Sequence, residues 1–157
     1  MSVAFRRESD EEHNEPRFEL PIPAGANLVT ARGLALIEAR VAGLADDLQA
    51  AADDAAREVV ARDLRYWQTR RVTAEVAPEP AGDEVALGTR VTFALAGAER
   101  TVTIVGHDEA DPERGRIAYT APLARAMLGA AEGEQVPFNG REEAIEIRRI
   151  AICGSGA

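Results

Sequence analysis

Between Leu28 and Ala77, apolar residues recur at alternating spacings of three and four. Leu34, Ile37, Val41, Leu44 and Leu48 form one such series, and Val60, Leu64 and Trp67 form a second. This a/d heptad rhythm predicts helices that each carry one narrow apolar stripe. Neither stripe can be buried alone, so the two segments are expected to pair as an antiparallel coiled-coil hairpin. The alternative is one continuous helix that dimerises. Only about two to three heptads are clean, and a lone helix usually needs more. No Gly or Pro marks the reversal, whose midpoint falls near Ala52 and Asp53. The acidic run Asp46, Asp47, Asp53 and Asp54 is therefore expected at the apex. Asn27 or Thr30 is placed to cap the first helix. The second is expected to open near Asp54 and to end before Pro78. Asp54 at its start and Arg70 and Arg71 at its end suit the helix dipole. Together with Arg57, Arg62 and Arg65, those arginines read as a solvated face. Each arm would hold about 22 residues and project roughly 35 Å.

Pro78, Pro80 and Gly82 mark a linker over 78–84, after which the rhythm changes to period two. Val91, Phe93 and Leu95 alternate with polar or small residues, as do Val102 and Ile104, with Gly97-Ala98 as a tight turn between them. His107 to Gly115 reads as an acidic loop, and Arg116 to Thr120 as a short strand. Pro122 opens a short helix over Leu123–Leu128 that Gly129 stops. Val136 and Phe138 lead into Asn139-Gly140, a type I′ hairpin signal. The last strand carries Ile145, Ile147, Ile150 and Ile152, and its apolar parity switches at Arg148-Arg149, which predicts a bulge. The fold class is α+β: an N-terminal hairpin over 28–77, and an antiparallel sheet domain with one covering helix over 85–152. Residues 1–27 read as a disordered or extended acidic tail with Phe5, Phe18, Leu20 and Ile22 as its apolar grip. Residues 153–157 form a second short tail.

Composition narrows the function. The formal net charge of −9 argues against autonomous, sequence-specific nucleic-acid binding, which needs a cationic face. The single Cys153 excludes an internal disulfide and a cysteine-based zinc site, and His13 and His107 are too far apart for metal-ligand spacing. No apolar run approaches the ~20 residues of a membrane span and no signal-peptide core is seen, so a soluble cytoplasmic chain is expected. No nucleophile elbow, P-loop or zincin motif occurs. His107 beside Asp108 is the best acid/base candidate, in a loop with Glu109 and Asp111 that otherwise reads as a solvated connector or a docking surface. The apex carboxylates offer oxygens to a hard cation such as Mg²⁺, but weakly, and the remaining ligands would have to come from another molecule. Simple solubility of the loop explains them equally well.

The run Ile104-Val105-Gly106-His107-Asp108-Glu109-Ala110-Asp111 is followed by Pro122-Leu123-Ala124-Arg125-Ala126-Met127-Leu128-Gly129 and then Gly133-Glu134. This resembles the I-V-G-x-D-E-A-D and S-P-x-A-R-x-x-x-G patterns in the C-terminal domain of the bacterial Gre transcript-cleavage factors, GreA and GreB. Ser2-Val3-Ala4-Phe5 with Arg7-Glu8, and Leu28-Val29-Thr30 with Gly33, are similar to GreB-type N-termini. Asp63-Leu64-Arg65-Tyr66-Trp67 resembles the close of the family's second helix.

The resemblance implies a coiled-coil finger joined to an FKBP-like globular domain, and RNA polymerase as partner. The globular domain would dock at the rim of the secondary channel through the strand leading into Pro122, which carries over to Ala118, Thr120 and Pro122. The finger would enter the channel and share a Mg²⁺ with the polymerase through Asp46, Asp47, Asp53 and Asp54. The chain would have no catalytic activity or cofactor of its own, and would act as a monomer. Two departures bear on this. The finger is shorter than the family's by roughly 20 residues, or about 15 Å of reach at ~1.5 Å per residue. Asp47-Leu48 also resembles the start of the family's tip motif, but Ala50 stands where its Glu would be, and Ala121 replaces the Ser before Pro122. Modulation of elongation with weak or no cleavage stimulation is the resulting expectation. The alternatives are an FKBP-like peptidyl-prolyl isomerase, for which Phe93, Tyr119 and Phe138 are few aromatics, and a non-catalytic coiled-coil interaction module.

Overall fold

Two polar side chains set the helix starts. The Thr30 hydroxyl accepts the Gly33 amide, and helix α1 runs over Ala31–Ala50. The Asp53 carboxylate accepts the Ala56 amide at 2.7 Å, and helix α2 runs over Asp54–Thr73. Each cap satisfies an amide that has no partner inside its helix. The computed structural model describes residues 19–153, so Phe5, Phe18 and the acidic run of the N-terminal tail lie outside the described residues, as does most of the C-terminal tail. Of the expected apolar grip, Leu20 is half-buried and Ile22 is exposed.

The arms are separated by residues 51–53, which rules out one continuous helix. Val41, Leu44 and Leu64 are buried against one another, with Leu48, Val60 and Trp67 packed at the margin. Burying each of the larger aliphatic side chains stabilises the pairing by about 1.5–3 kcal/mol. Among the described residues this cluster draws on nothing from the sheet, so the hairpin has its own seam. The Arg40 guanidinium lies over the Trp67 ring, 5.2 Å from its centroid, and closes that seam on one side.

The heptad pattern does not foretell how the hairpin closes at its base. Strand β1, Asn27–Val29, precedes α1, and strand β2, Ala74–Val76, follows α2 directly. The two pair in parallel, Asn27 with Ala74 and Val29 with Val76. The whole hairpin is the crossover between them, which meets the need of parallel neighbours for a long connection.

The second unit is a five-stranded sheet in the order β5-β4-β3-β7-β6. Its strands are β3 Thr89–Leu95, β4 Ala98–Val105, β5 Arg116–Ala118, β6 Gln135–Phe138 and β7 Arg141–Ile152. Helix α3, Pro122–Met127, covers one face, where Ala124 and Met127 meet Val91, Phe93, Ile104, Ile145 and Ile147. The bulge falls where the parity switch places it. Thr92 faces Arg149 and Phe93 faces Ile147, leaving Arg148 as the extra residue. That insertion turns Ile145, Ile147 and Ile150 to the same buried side, while Ile152 stays 42% exposed.

Three details differ from expectation. The first turn is Ala96-Gly97, with φ of 52° and 77°, one residue earlier than Gly97-Ala98. Both positions are left-handed, as a type I′ turn requires, and an alanine accepts that strain. The sheet is not wholly antiparallel, because β5 pairs in parallel with β4. The segment between them folds into two single-turn 3₁₀ helices that carry the chain back to the start of the next strand. Strand β5 is also shorter than the Arg116–Thr120 reading, and α3 begins at Pro122 and ends at Met127, one residue early at each end.

The strained alanine yields a test. Replacing Ala96 with Asn supplies the residue that the first position of this turn prefers. It is expected to raise stability by about 0.5–1 kcal/mol, read as a higher urea midpoint with an unchanged m-value.

Candidate functional site

The apex holds all the acids assigned to it. Asp46 and Asp47 lie in the last turns of α1, and Asp53 and Asp54 open α2; all are exposed. Their surroundings differ. Asp53 Oδ1 is engaged with the Ala56 amide. Asp54 lies 3.6 Å from Arg57 in an exposed pair. Asp46 and Asp47 sit at the carbonyl end of α1, where the dipole disfavours a negative charge and no basic residue offsets it. Among the described residues no group of three or more His, Cys, Asp or Glu is placed to hold a metal ion. The apex donors do not make a complete site, and fit a cation only as ligands lent to one held elsewhere.

The residues assigned to docking lie at the opposite end, on the sheet. Ala118 ends β5 half-buried, Thr120 and Pro122 are exposed, and Pro122 opens α3. Between Ala118 and Thr120, the Tyr119 hydroxyl donates to the Ala26 carbonyl at 2.8 Å. The docking segment is thereby tied to the strand that leads into the hairpin.

Between these two ends lies the part of the site that sequence reasoning missed. The segment His107–Gly115 is a solvated connector only in part, with His107 and Pro112, Glu113 and Arg114 exposed. Asp108 and Glu109 turn inward, with side chains only 4% exposed. Arg70, read as part of a solvated face, is 3% exposed. Its Nε donates to Asp108 Oδ2 at 2.6 Å, and the Tyr66 hydroxyl donates to Asp108 Oδ1 at 2.5 Å. Asn27 completes the cluster: it accepts from Arg70 Nη2 at 2.8 Å and donates to the Arg70 carbonyl at 2.8 Å and to Thr73 Oγ1 at 3.2 Å. On α1, Glu109 accepts from the Thr30 hydroxyl at 2.5 Å and from Arg32 Nη1 at 2.9 Å. Every buried side-chain polar atom among the described residues has a partner. His107 is exposed, and its neighbour Asp108 is committed to Arg70 and Tyr66, so the two form no acid/base pair.

The backbone enforces the same approach. A Cβ on Gly106 would lie 2.5 Å from the Leu28 carbonyl oxygen, and one on Gly33 would lie 2.8 Å from Glu109 Oε1. Only glycine lets the loop and the hairpin base come this close. Asp108 and Glu109 therefore bind α2 and α1 separately, and the loop acts as a two-pronged clamp. A signal was present in the sequence: the Asp108-Glu109 pair after Gly106, and an arginine on the seam side of α2, three residues after Trp67. Its meaning depends on the fold.

The aromatics that the isomerase alternative would draw on are engaged elsewhere. Phe93 is fully buried in the sheet core, Phe138 packs against that core, and Tyr119 is tied to Ala26.

A two-helix hairpin, acidic at its tip and clamped by Asp108 and Glu109 to a small sheet module, defines a class of two-unit proteins. Comparison with known proteins identifies the class. Residues 79–152 match the family model for the C-terminal region of the transcription elongation factors GreA/GreB. GreA of Nitratidesulfovibrio vulgaris is 33% identical over 125 residues, covering 75% of this chain and 76% of the relative. GreB of Neisseria meningitidis is 42% identical over 97 residues, covering 57% and 58%. A solved structure of Gfh1, a GreA factor homologue of Thermus thermophilus, aligns with 81% of this chain and 99% of its own, at 17% identity and a TM-score of 0.37. The chain belongs to the GreA/GreB family. Its matches span about half to three fifths of the length of the first curated relatives.

The junction makes two expectations measurable. Replacing Asp108 with Ala strands a buried guanidinium and is expected to cost about 3–5 kcal/mol in urea denaturation, whereas replacing Arg70 with Met and Asp108 with Leu together costs much less. The second concerns Tyr66. Burial, then its hydrogen bond to Asp108, pushes the phenol above its ordinary range. The folded state therefore keeps the proton after the unfolded state loses it. That contribution is fully present below the unfolded value of about 10 and is lost as pH rises beyond it. The stability difference between the wild type and Tyr66→Phe should accordingly be constant up to about pH 9 and shrink above pH 10.

Proposed function

We propose that this chain is a transcription elongation factor that binds RNA polymerase at its secondary channel and modulates elongation in the cytoplasm, acting as a monomer. The clamped junction supports this reading most strongly. A docking surface and a charged tip act together only if the path between them is stiff, and the buried Arg70–Asp108 pair, with the half-exposed Arg32 on buried Glu109, supports that stiffness. In this reading Ala118, Thr120 and Pro122 meet the polymerase, and the hairpin enters the channel.

The apex sets what the factor does there. Asp46 and Asp47 are kept where the helix dipole opposes them, at a cost of about 0.3–1 kcal/mol each. A local rule broken without local gain is a mark of function. In a two-metal hydrolysis a donated carboxylate would orient a metal-bound water. Here α1 has 20 residues and measures about 30 Å. Metal ligation tolerates errors of only about 0.2 Å, and Ala50 stands where the family motif carries an acid. We therefore assign this chain occupancy of the channel with little or no stimulation of transcript cleavage.

Co-purification with core polymerase tests the reading. A Kd near 1 μM or tighter, equivalent to about −8 kcal/mol, is expected. Replacing Thr120 with Arg at the docking strand should weaken it by about fivefold or more while the hairpin stays folded. No binding at micromolar concentrations removes the proposal. On stalled complexes, neither the wild type nor the Asp53→Ala, Asp54→Ala double variant is expected to release shortened transcripts, and strong cleavage by the wild type alone would overturn the assignment of the tip.

A further inference from the structure

On the sheet face away from α3, the hairpin base and the linker after β2 enclose a cleft of about 790 Å³. This lies within the roughly 300–1,000 Å³ typical of small-molecule sites. Its floor is one register row across three neighbouring strands: Arg90 pairs with Thr103, and Thr103 pairs with Arg116. Residues so paired share a face, and with about 4.8 Å between strands the two arginine backbones stand about 10 Å apart, with a hydroxyl between them.

The charges facing the cleft are Arg32, Glu79, Arg90, Glu109 and Arg116. Glu109 is already satisfied by Thr30 and Arg32. Among the described residues Arg90 and Arg116 have no side-chain hydrogen bond or ion pair, although the chain carries 27 acidic residues against 18 basic ones. In so acidic a protein, two unpaired guanidiniums in one concavity form an anion-selective spot that Glu79 offsets only in part. Each guanidinium can grip two oxygens of one phosphoryl group. Pro80 and Leu87 supply an apolar wall, and the cleft is far larger than one phosphate needs.

We propose that this cleft binds a small anion with two linked phosphoryl groups. Arg90 and Arg116 each take one group, the Thr103 hydroxyl donates between them, and any organic part lies against Pro80 and Leu87. This site is independent of the polymerase reading, since it uses neither the apex nor Ala118, Thr120 and Pro122.

The single Cys153 reports on it. Cys153 lines the cleft, with its Sγ 3.9 Å from the Thr103 hydroxyl. Full-length chain is titrated calorimetrically with inorganic phosphate, pyrophosphate and GDP, and N-ethylmaleimide labelling of Cys153 is timed with and without each. Pyrophosphate and GDP are expected to saturate below about 1 mM, with inorganic phosphate at least about tenfold weaker. Both are expected to slow Cys153 labelling. Tighter binding of GDP than pyrophosphate identifies a nucleotide as the source, and equal binding identifies the diphosphate alone; either supports the site. Replacing Arg90 and Arg116 together with Ala should weaken binding about tenfold or more and remove the protection. Arg90 is exposed, so Arg90→Gln alone serves if the double variant fails to fold, with about a threefold loss expected. No saturable binding of either diphosphate, binding unchanged in these variants, or binding that leaves Cys153 unprotected overturns the proposal.

Discussion

One buried ion pair decides what this molecule is. Without the bond between Arg70 and Asp108, the hairpin and the sheet, which have separate cores, would be joined by the Glu109 prong, the Tyr119–Ala26 hydrogen bond and a proline-bearing linker. With it, they become one lever. Taking two charges out of water is costly, and an ion pair in a dry interior repays that cost only when its remaining donors and acceptors are also engaged. Here they are. Tyr66 takes the second carboxylate oxygen, and Asn27 bridges the guanidinium to the backbone of its own helix. A hydrophobic contact of equal area would hold the modules together as well, but it would accept small rotations. A directional network with every partner assigned has one good geometry.

This explains why some features were legible in the sequence and others were not. The seam, Thr30 as one of two candidate caps, the second helix's opening at Asp54, the bulge at Arg148 and the Asn139-Gly140 turn all arise from neighbours within a few residues, or from the parity of one strand. The pairing of β1 with β2 joins positions on either side of the whole hairpin, and the clamp joins Arg70 to a loop beyond the next domain boundary. Three-residue strands carry no periodicity to read. An arginine near the end of a helix and a run of acids in a loop each have a sufficient local explanation, the helix dipole in one case and solvation in the other. Only the fold brings them together, and both local explanations then fail. The parallel placement of β5 escaped for a similar reason: a short strand shows its apolar parity but not its direction. The family resemblance matched the acidic motif residue by residue, yet it did not reveal that Asp108 and Glu109 turn inward.

The apex obeys a different rule from the base. At the base, Arg70, Asp108 and Glu109 are paired, buried and hydrogen-bonded. At the tip they are exposed, and two of them stand where the helix end repels them. Stability is concentrated where the hairpin is anchored and yielded at its tip. Asp53 does both, capping α2 with one oxygen and leaving the other to solvent.

The parallel closure of β1 on β2 has a consequence for how such a protein changes over generations. Both strands of the chain pass through one fixed gate before the arms begin, and everything that positions the arms lies at or below that gate. Material can be added to or removed from the far end in matched pairs of turns without disturbing the anchor. The length of the arm is thus an editable property. A lineage can shorten it while inheriting the same anchored base.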